Sequence, residues 1–169
     1  SDTVAEGATV NVDLAGNDVD VDGTIVTASI VITDNPDNGS VVVFGNGTVN
    51  YTHDGTETVG DTFQYTIDDN NGATSNAATV TIAVTPVNDN PVAYDDTETV
   101  DEAGTINIDL AANDSDIDGT LNLGSIAIVS PPTNGSVGIV GDGTVNYTHN
   151  GSENPSDSFT YTIRDNLAA

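Results

Sequence analysis

The residues with the clearest chemical potential are aspartates that alternate with other residues in two short segments. Residues 17–23 read NDVDVDG and residues 113–119 read NDSDIDG. Aspartates at this spacing, in a loop that ends in glycine, direct several carboxylate oxygens toward one point, and such oxygens suit a hard divalent cation such as calcium. The two segments therefore predict six metal ligands, namely Asp18, Asp20, Asp22, Asp114, Asp116 and Asp118.

Neither segment is a complete calcium loop of the EF-hand type. That loop needs a glutamate at its twelfth position, where this chain has Ser29 and Ser125. A bound ion would therefore take its further oxygens from other parts of the chain. Because aspartate-rich turns also form without any ion, solvated turns are the alternative interpretation of both segments.

A third acidic segment, residues 88–91, reads NDNP. No basic residue occurs between positions 86 and 119, so the carboxylates of this region repel one another unless a cation joins them. We expect calcium to bind here, at the junction between two folded units, with ligands from Asn88, Asp89 and Asn90. An ordinary turn is again the alternative.

The elements that position these residues form an internal repeat. Shifting the sequence by 96 residues aligns it with itself without a gap, and 40 of the 73 comparable positions (169 − 96) are identical. The identical positions include the hexapeptide TVNYTH at residues 48–53 and 144–149. The chain therefore contains two copies of one unit, which we assign to residues 1–88 and 89–169.

Each copy has the sequence pattern of a β-sandwich. Apolar and polar residues alternate in short segments, turn-forming residues lie between the segments, and no segment has the 3.6-residue apolar period of a helix. About seven short strands in roughly 95 residues predict an all-β chain of two tandem immunoglobulin-like sandwich domains.

The second copy lacks its last strand in this register. Ala169 aligns with Ala73, so the strand at residues 77–85 has no counterpart. A sandwich without its last strand exposes an unpaired edge. We expect either that another chain supplies the strand, a homotypic partner included, or that the second domain is less stable than the first.

Charge and composition limit the possible partners. The chain has 27 acidic residues against one basic residue, Arg164, and its net charge of −26 argues against nucleic acid or an anionic membrane as partner. It has no cysteine for a disulfide or a thiolate metal site, and no apolar run long enough for membrane insertion. Adaptation of the surface to high salt is an alternative reason for the acidity.

The NDNP segment resembles the interdomain linker of cadherins. The whole chain resembles the cadherin-like or VCBS-like extender repeats of large bacterial surface adhesins of the RTX type, in which immunoglobulin-like domains are joined by calcium. The resemblance implies further ligands at a glutamate near the first strand, Glu6, and at an acidic pair after the tyrosine-bearing strand, Asp68 with Asp69. Glu102 is the counterpart of Glu6 in the second copy.

Two departures from the cadherin pattern affect this ligand set. The linker is one residue shorter before Pro91, and Pro86 stands where an aspartate is usual. The second copy has Arg164 in place of Asp68, which leaves Asp165, the match of Asp69, as the acidic residue that both copies share. A guanidinium beside the site would oppose a cation, so we rank Asp69 above Asp68.

The sequence predicts a structural function and no enzymatic activity. It contains no nucleophile motif, and the acidic clusters occur twice, whereas a catalytic pair is needed once. We expect an extracellular, calcium-binding extender module of a bacterial cell-surface or secreted adhesin that supports cell adhesion, with neighbouring repeats of the same polypeptide as partners. The alternative is a carbohydrate- or protein-binding sandwich module appended to a secreted enzyme.

Overall fold

The computed structural model describes residues 1–167 and divides the chain into two compact units, residues 1–87 and the residues from Asn88 onward. The division falls next to the boundary assigned from the repeat, and the limits of the two domains stay a prediction. The predicted all-β fold class is confirmed, because the regular secondary structure of the described residues consists of strands apart from one short 3-10 helix at Ala15–Asn17. Among them, no helix has the length and hydropathy required to cross a bilayer.

The first unit contains seven strands in two sheets. They are β1 (Asp2–Ala5), β2 (Thr9–Asp13), β3 (Ile25–Asp34), β4 (Gly39–Val43), β5 (Thr48–His53), β6 (Gly60–Asp69) and β7 (Ala78–Thr85). One sheet has the order β1-β7-β6-β3 and the other the order β2-β5-β4. All pairs are antiparallel except β1 with β7.

Side-chain alternation builds the core of the first unit between its sheets. Successive side chains of a strand point to opposite faces, so every second residue of β5 is buried, namely Val49, Tyr51 and His53. The same period buries Phe63 on β6 and Ile82 on β7. The two strands are neighbours over six residue pairs, in which Gly60 to Tyr65 on β6 pair with Ala78 to Ala83 on β7.

The second unit contains five strands. They are β8 (Thr105–Asp109), β9 (Leu121–Ser130), β10 (Gly135–Ile139), β11 (Thr144–His149) and β12 (Thr160–Asp165). The sheet β10-β11-β8 matches β4-β5-β2, and the two-stranded sheet β12-β9 matches β6-β3. The unit has its own core, built around Ile108, Leu110, Ile126, Val145, Tyr147 and Ile163.

The described part of the second unit has no strand that corresponds to β1 or β7. It also lacks the first part of the strand that corresponds to β6, since β12 begins at Thr160. In the first unit, residues 60–63 pair only with β7, and β1 pairs only with β7. Their counterparts in the repeat, residues 156–159 and 98–101, form no strand ladder with any described residue.

Candidate metal centre

The aspartate-rich loop of the second unit is held against two other segments. The Thr120 N–H donates to Asn166 Oδ1 (2.9 Å), and the Asn166 N–H donates to the Thr120 carbonyl (2.9 Å). This pair joins the end of the loop to the turn after β12. At the other side, Val92 and Ser115 exchange two backbone hydrogen bonds of 2.8 and 3.0 Å. The loop is thereby fixed to both the 88–92 segment and the 165–166 turn.

These links bring carboxylates and one amide of three segments together. Asn88 Nδ2 donates to Asp165 Oδ2 (2.6 Å), and the Asp89 N–H lies 3.4 Å from each carboxylate oxygen of Asp118. Asp165 is 1% exposed, and its Oδ1 accepts a hydrogen bond from the Leu167 N–H (2.9 Å). The predicted ligands Asn88, Asp89 and Asp118 thus lie in one cluster within the second unit.

Three oxygens in this cluster are shielded from solvent but have no donor. Both carboxylate oxygens of Asp116 and Oδ1 of Asn88 accept no well-formed hydrogen bond from any residue that the structure describes. A shielded acceptor without a hydrogen-bond partner destabilises the folded state, and a charged acceptor does so more strongly. Desolvation raises the pKa of the Asp116 carboxyl above its usual range, and this effect outweighs the nearby Asp118 backbone N–H, which lowers it. The charges of Asp118 and Asp165 raise it further.

The glycine that ends the loop keeps the space beside these oxygens open. A Cβ at Gly119 would lie 2.6 Å from Asp116 Oδ2 and 3.0 Å from Asn166 Oδ1. Any side chain at this position would therefore displace the oxygens of the cluster. This close approach explains why both copies have glycine here. A Cβ at Gly23 would likewise collide with the side chains of Asp20 and Asn70.

The donor set of the second unit fits a calcium ion. Asp116, Asp118, Asp165 and Asn88 offer only carboxylate and amide oxygens, and several of these oxygens have no other partner. Calcium takes six to eight oxygen ligands and tolerates irregular geometry. Sulfur is absent from the chain, and neither histidine belongs to this cluster, so the set does not suit zinc or copper.

The first unit contains a smaller version of the same cluster. Its loop is closed by the pair Thr24 and Asn70, with hydrogen bonds of 2.7 and 2.9 Å. Asp20 Oδ2 is shielded and has no hydrogen-bond partner among the described residues, while Asp20 Oδ1 faces the Asp22 N–H at 3.4 Å. Asp69 Oδ1 accepts two backbone hydrogen bonds of 2.8 Å. No residue of 1–87 matches Asn88 in the repeat register.

Asp18 and Asp114 occupy a different position from the other loop aspartates. Asp18 Oδ2 accepts a hydrogen bond from the buried Tyr65 hydroxyl (2.9 Å), which also faces the Leu14 carbonyl (2.9 Å). Burial and this hydrogen bond raise the pKa of Tyr65 to about 12, so the phenol keeps its proton and donates it. Asp114 makes the equivalent contact with Tyr161. Both carboxylates therefore fasten their loop to the core.

The remaining predicted ligands are more scattered. Glu6 Oε2 accepts a hydrogen bond from the Val87 N–H (3.1 Å), and Asp68 lies on β6, where its N–H donates to Ser29 Oγ (2.6 Å). Asn90 and Glu102 are exposed. As metal ligands, all residues inferred from the sequence stay predictions.

Sequence reasoning left out Asn70 and Asn166, whose Oδ1 atoms close the two loops. A signal was available, because the dipeptide Asp-Asn follows the tyrosine-bearing strand at both 69–70 and 165–166. Its meaning depended on knowing that this turn lies beside the aspartate-rich loop, which only the fold shows.

The comparison with protein families identified both units. Residues 1–86 match the profile described as a bacterial cadherin-like domain, and residues 88–169 match the profile described as a bacterial Ig domain. Among curated proteins, no sequence matched. The predicted resemblance to cadherin-like, immunoglobulin-fold bacterial repeats is therefore confirmed.

Solved structures gave only distant similarity. Two endo-fucoidan hydrolases of glycoside hydrolase family 107 align over 97% and 96% of this chain at 15% and 14% identity, with TM-scores of 0.33 and 0.31. The chain spans 26% and 30% of their lengths. A chimeric titin Z1Z2 functionalised with a KLER peptide from decorin aligns over 96% of this chain and 83% of its own, at 12% identity and a TM-score of 0.27.

Proposed function

Because this chain belongs to the bacterial cadherin-like domain family, we propose that it is a calcium-binding extender module of a bacterial surface or secreted adhesin. Bacterial Ig and cadherin-like domains are typically non-catalytic and extracellular or surface-associated. Calcium binds at the aspartate clusters, and calcium at the start of the second unit stiffens the junction between consecutive repeats.

The observation that carries the proposal is the set of unpartnered oxygens at Asp116 and Asn88. If no cation were bound, each of these shielded acceptors would make the folded state less stable. The recurrence of a shielded, unpartnered oxygen at Asp20 of the first unit supports the same conclusion. Surface aspartates in ordinary turns would instead point their oxygens to water.

Residues from three segments of the chain would bind the ion at this site. Asp116, Asp118 and Asp165 would hold the ion, and Asn88 would add an oxygen from the segment that precedes the second sandwich. Bound calcium supplies the positive charge that offsets the repulsion of the three carboxylates. Without it, the repulsion weakens the attachment of residues 88–92 to the sandwich, and the chain between the repeats becomes freer to move.

An extracellular adhesin can use calcium sites of low affinity. Extracellular modules bind calcium with dissociation constants on the order of 10⁻⁴ to 10⁻³ M. Sites of this affinity are substantially filled where calcium is roughly millimolar. We propose that the neighbouring repeats of the same polypeptide are the partners whose spacing the ion controls, so that a terminal binding domain is held away from the cell surface.

The test is calcium titration by calorimetry with Asp116→Asn and a charge-matched control. The control is Asp142→Asn, because the first unit already has Asn46 at this position, where it caps Thr48 as Asp142 caps Thr144. We expect Asp116→Asn to weaken binding at least about tenfold through loss of a carboxylate ligand, and the control to bind like the parent. Equal affinity of the two variants would refute the site.

The same variants give a second test whose sign depends on calcium. In chelator, Asp116→Asn should stabilise the second unit, because it removes an unpartnered charge. In millimolar calcium it should destabilise that unit relative to the parent, because the ion binds the folded state less tightly. Thermal melting of the second unit measures both effects, and a change of the same sign in both buffers would argue against a bound ion.

Stiffening of the chain by calcium can be measured independently of calcium binding. Small-angle scattering of the 169-residue chain should give a larger maximum dimension and a narrower distribution of distances in calcium than in chelator. An unchanged distribution would leave calcium binding in place but remove its mechanical role.

A further inference from the structure

One edge strand of the first unit differs from the other three. The edges of its two sheets are β1 and β3 in one sheet and β2 and β4 in the other. Charged residues and bulges discourage an edge from pairing with a further strand. Asp2 and Asp13 lie on β1 and β2, and β3 contains Asp34 and two register shifts. By contrast, β4 has no charged residue, no proline and a continuous register with β5.

The backbone of β4 presents a regular row of unpaired groups at this edge. The Phe44 N–H donates to the Thr48 carbonyl, and antiparallel pairs alternate, so the even-numbered residues of β4 hydrogen-bond to β5. The odd-numbered residues therefore direct their N–H and C=O groups away from β5, and they are Gly39, Val41 and Val43. No strand among the described residues pairs with β4 on that side.

The second unit has the same open edge on β10. The Val140 N–H donates to the Thr144 carbonyl, which places the even-numbered residues of β10 against β11. The outward N–H and C=O groups belong to Gly135, Val137 and Ile139. This strand also has no charged residue, no proline and no register shift.

The surroundings of both edges are neutral and partly apolar. Residues 38–53 and 119–141 contain no acidic residue, lysine or arginine, although the chain has 27 acidic residues. Val42 and Ile139 are 58% and 47% exposed. A net charge of −26 repels a second copy at acidic surfaces, whereas two neutral edges can approach each other. A basic partner would instead be attracted to the acidic surfaces.

The same edge of a second copy fits these requirements. Antiparallel pairing about a two-fold axis at Val41 places Gly39 of one copy opposite Val43 of the other. It places Ser40 opposite Val42, so no like charges meet across the pair. The outward N–H and C=O groups of each copy then satisfy those of the other, and the three-stranded sheet becomes one of six strands.

We infer that β4 and its counterpart β10 are homotypic interaction edges, at which two copies of this chain pair strand to strand. Pairing here holds modules of neighbouring chains side by side, which goes beyond the proposed role of calcium within one chain. The contact is small, and we expect a dissociation constant on the order of 10⁻⁴ to 10⁻³ M. Salt strengthens the contact, because screening weakens the repulsion between the acidic chains.

Sedimentation of the 169-residue chain in chelator tests this inference without calcium bridging acidic surfaces. The edge variant combines Val42→Asp with Gly138→Asp, both at exposed positions, and a Cβ at Gly138 meets no atom within 4 Å. The charge-matched control combines Thr3→Asp with Thr99→Asp, which are exposed, equivalent in the repeat and outside β4 and β10.

We expect the parent and the control to dimerise as concentration rises, and to do so more strongly at about 500 mM than at about 50 mM salt. The edge variant should dimerise at least about tenfold more weakly, because its carboxylates lie in the paired strands. Thermal melting at low concentration should be similar for the two variants, which shows that the edge variant is folded.

Amide hydrogen exchange of the unmodified chain needs no variant. The outward N–H groups of Val41, Val43, Val137 and Ile139 should exchange at least about fivefold more slowly in concentrated than in dilute solution, since they gain partners only in the dimer. The even-numbered residues of the same strands already donate to β5 or β11, so their exchange should depend less on concentration.

Three results would overturn the inference. The first is a chain that stays monomeric at about 1 mM in high salt. The second is equal dimerisation of the edge variant and the control. The third is a dimer in which the newly protected amides lie at residues 98–101 and 156–161, which would place the contact beside β12 instead of at β4 and β10.

Discussion

The two units place the same side chains in different surroundings. Phe63 is 1% and Tyr65 is 5% exposed in the first unit, whereas their counterparts Phe159 and Tyr161 are half-buried in the second. These residues have the same identity and the same position in the repeat. Their burial differs because β7 covers one pair and no described strand covers the other. Burial in a sandwich is thus a property of neighbouring strands as much as of the residue.

The other sheet shows no such difference. Val49 and Val145 are both completely buried on equivalent central strands, and β5 and β11 each pair with two neighbours in the same register. This three-stranded sheet is complete in both units. The difference between the two units is therefore confined to one sheet, and the three-stranded sheet keeps the same pairing in both.

The strongest test of this comparison removes the core contribution of β7 from the first unit. Ile82→Ala should destabilise that unit by about 2–5 kcal/mol, because it deletes a completely buried side chain between two sheets. Urea unfolding followed by amide signals of β6 measures the loss. Thr81→Ala on the exposed side of the same strand is the control and should cost less than about 1 kcal/mol. Similar losses in both variants would contradict a packing role for β7.

The next test concerns an aspartate that accepts equivalent hydrogen bonds in both units. Asp61 accepts backbone hydrogen bonds from Asp37, Asn38 and Thr62 and one from the Tyr51 hydroxyl, at 2.8–3.1 Å. Asp61→Ala should cost the first unit about 1–3 kcal/mol, because the buried donors lose their acceptor.

The matched variant in the second unit should cost less. Asp157 accepts the equivalent hydrogen bonds, but it is half-buried where Asp61 is buried, so water can replace it as acceptor. Urea unfolding of Asp61→Ala and Asp157→Ala compares the two units. A loss of stability in the second unit as large as that in the first would mean that water does not replace the Asp157 carboxylate as acceptor.

A smaller effect is expected on acidification. Burial alone would raise the pKa of Asp157, but hydrogen bonds from the Thr133, Asn134 and Ser158 backbone and from the Tyr147 hydroxyl outweigh it and lower the pKa. Its contribution to stability is therefore present above the unfolded value of about 3.9 and is lost as the pH falls through the lower folded value. Melting of the second unit between about pH 5 and pH 2.5 should show this loss, and it should be reduced in Asp157→Asn.

The smallest predicted effect concerns the one basic residue. Arg164 stands where the first unit has Asp68, next to the cluster residue Asp165. Arg164→Asp should strengthen calcium binding by the second unit by about five-fold at low salt, corresponding to roughly 1 kcal/mol of Coulomb energy. Calorimetry at about 10 mM and 150 mM salt should show the gain shrinking as screening increases. A gain independent of salt would indicate a direct ligand.

Much of the fold could be predicted because it depends on local patterns and on repetition. Alternation placed β5 at residues 48–53 as observed, and the 96-residue register made the second unit a copy of the first. The clusters around Asp20 and Asp116 were visible because the aspartates lie close together in the sequence. The role of Asn166 could not be inferred, because it closes a loop that begins at Asn113, 53 residues earlier (166 − 113).

The sequence by itself determined the number of repeated units, the positions of strands such as β5 along the chain, and the oxygen-only chemistry of the aspartate loops, since all three depend on residue type and spacing. Only the tertiary structure decided which aspartates attach the loop to the core and which face the cluster. Asp114 and Asp116 are two residues apart, yet one accepts a hydrogen bond from a core tyrosine and the other faces its cluster without a donor. The physical reason is that donors to a loop come from strands distant in sequence, and their positions follow from how the sheets pack.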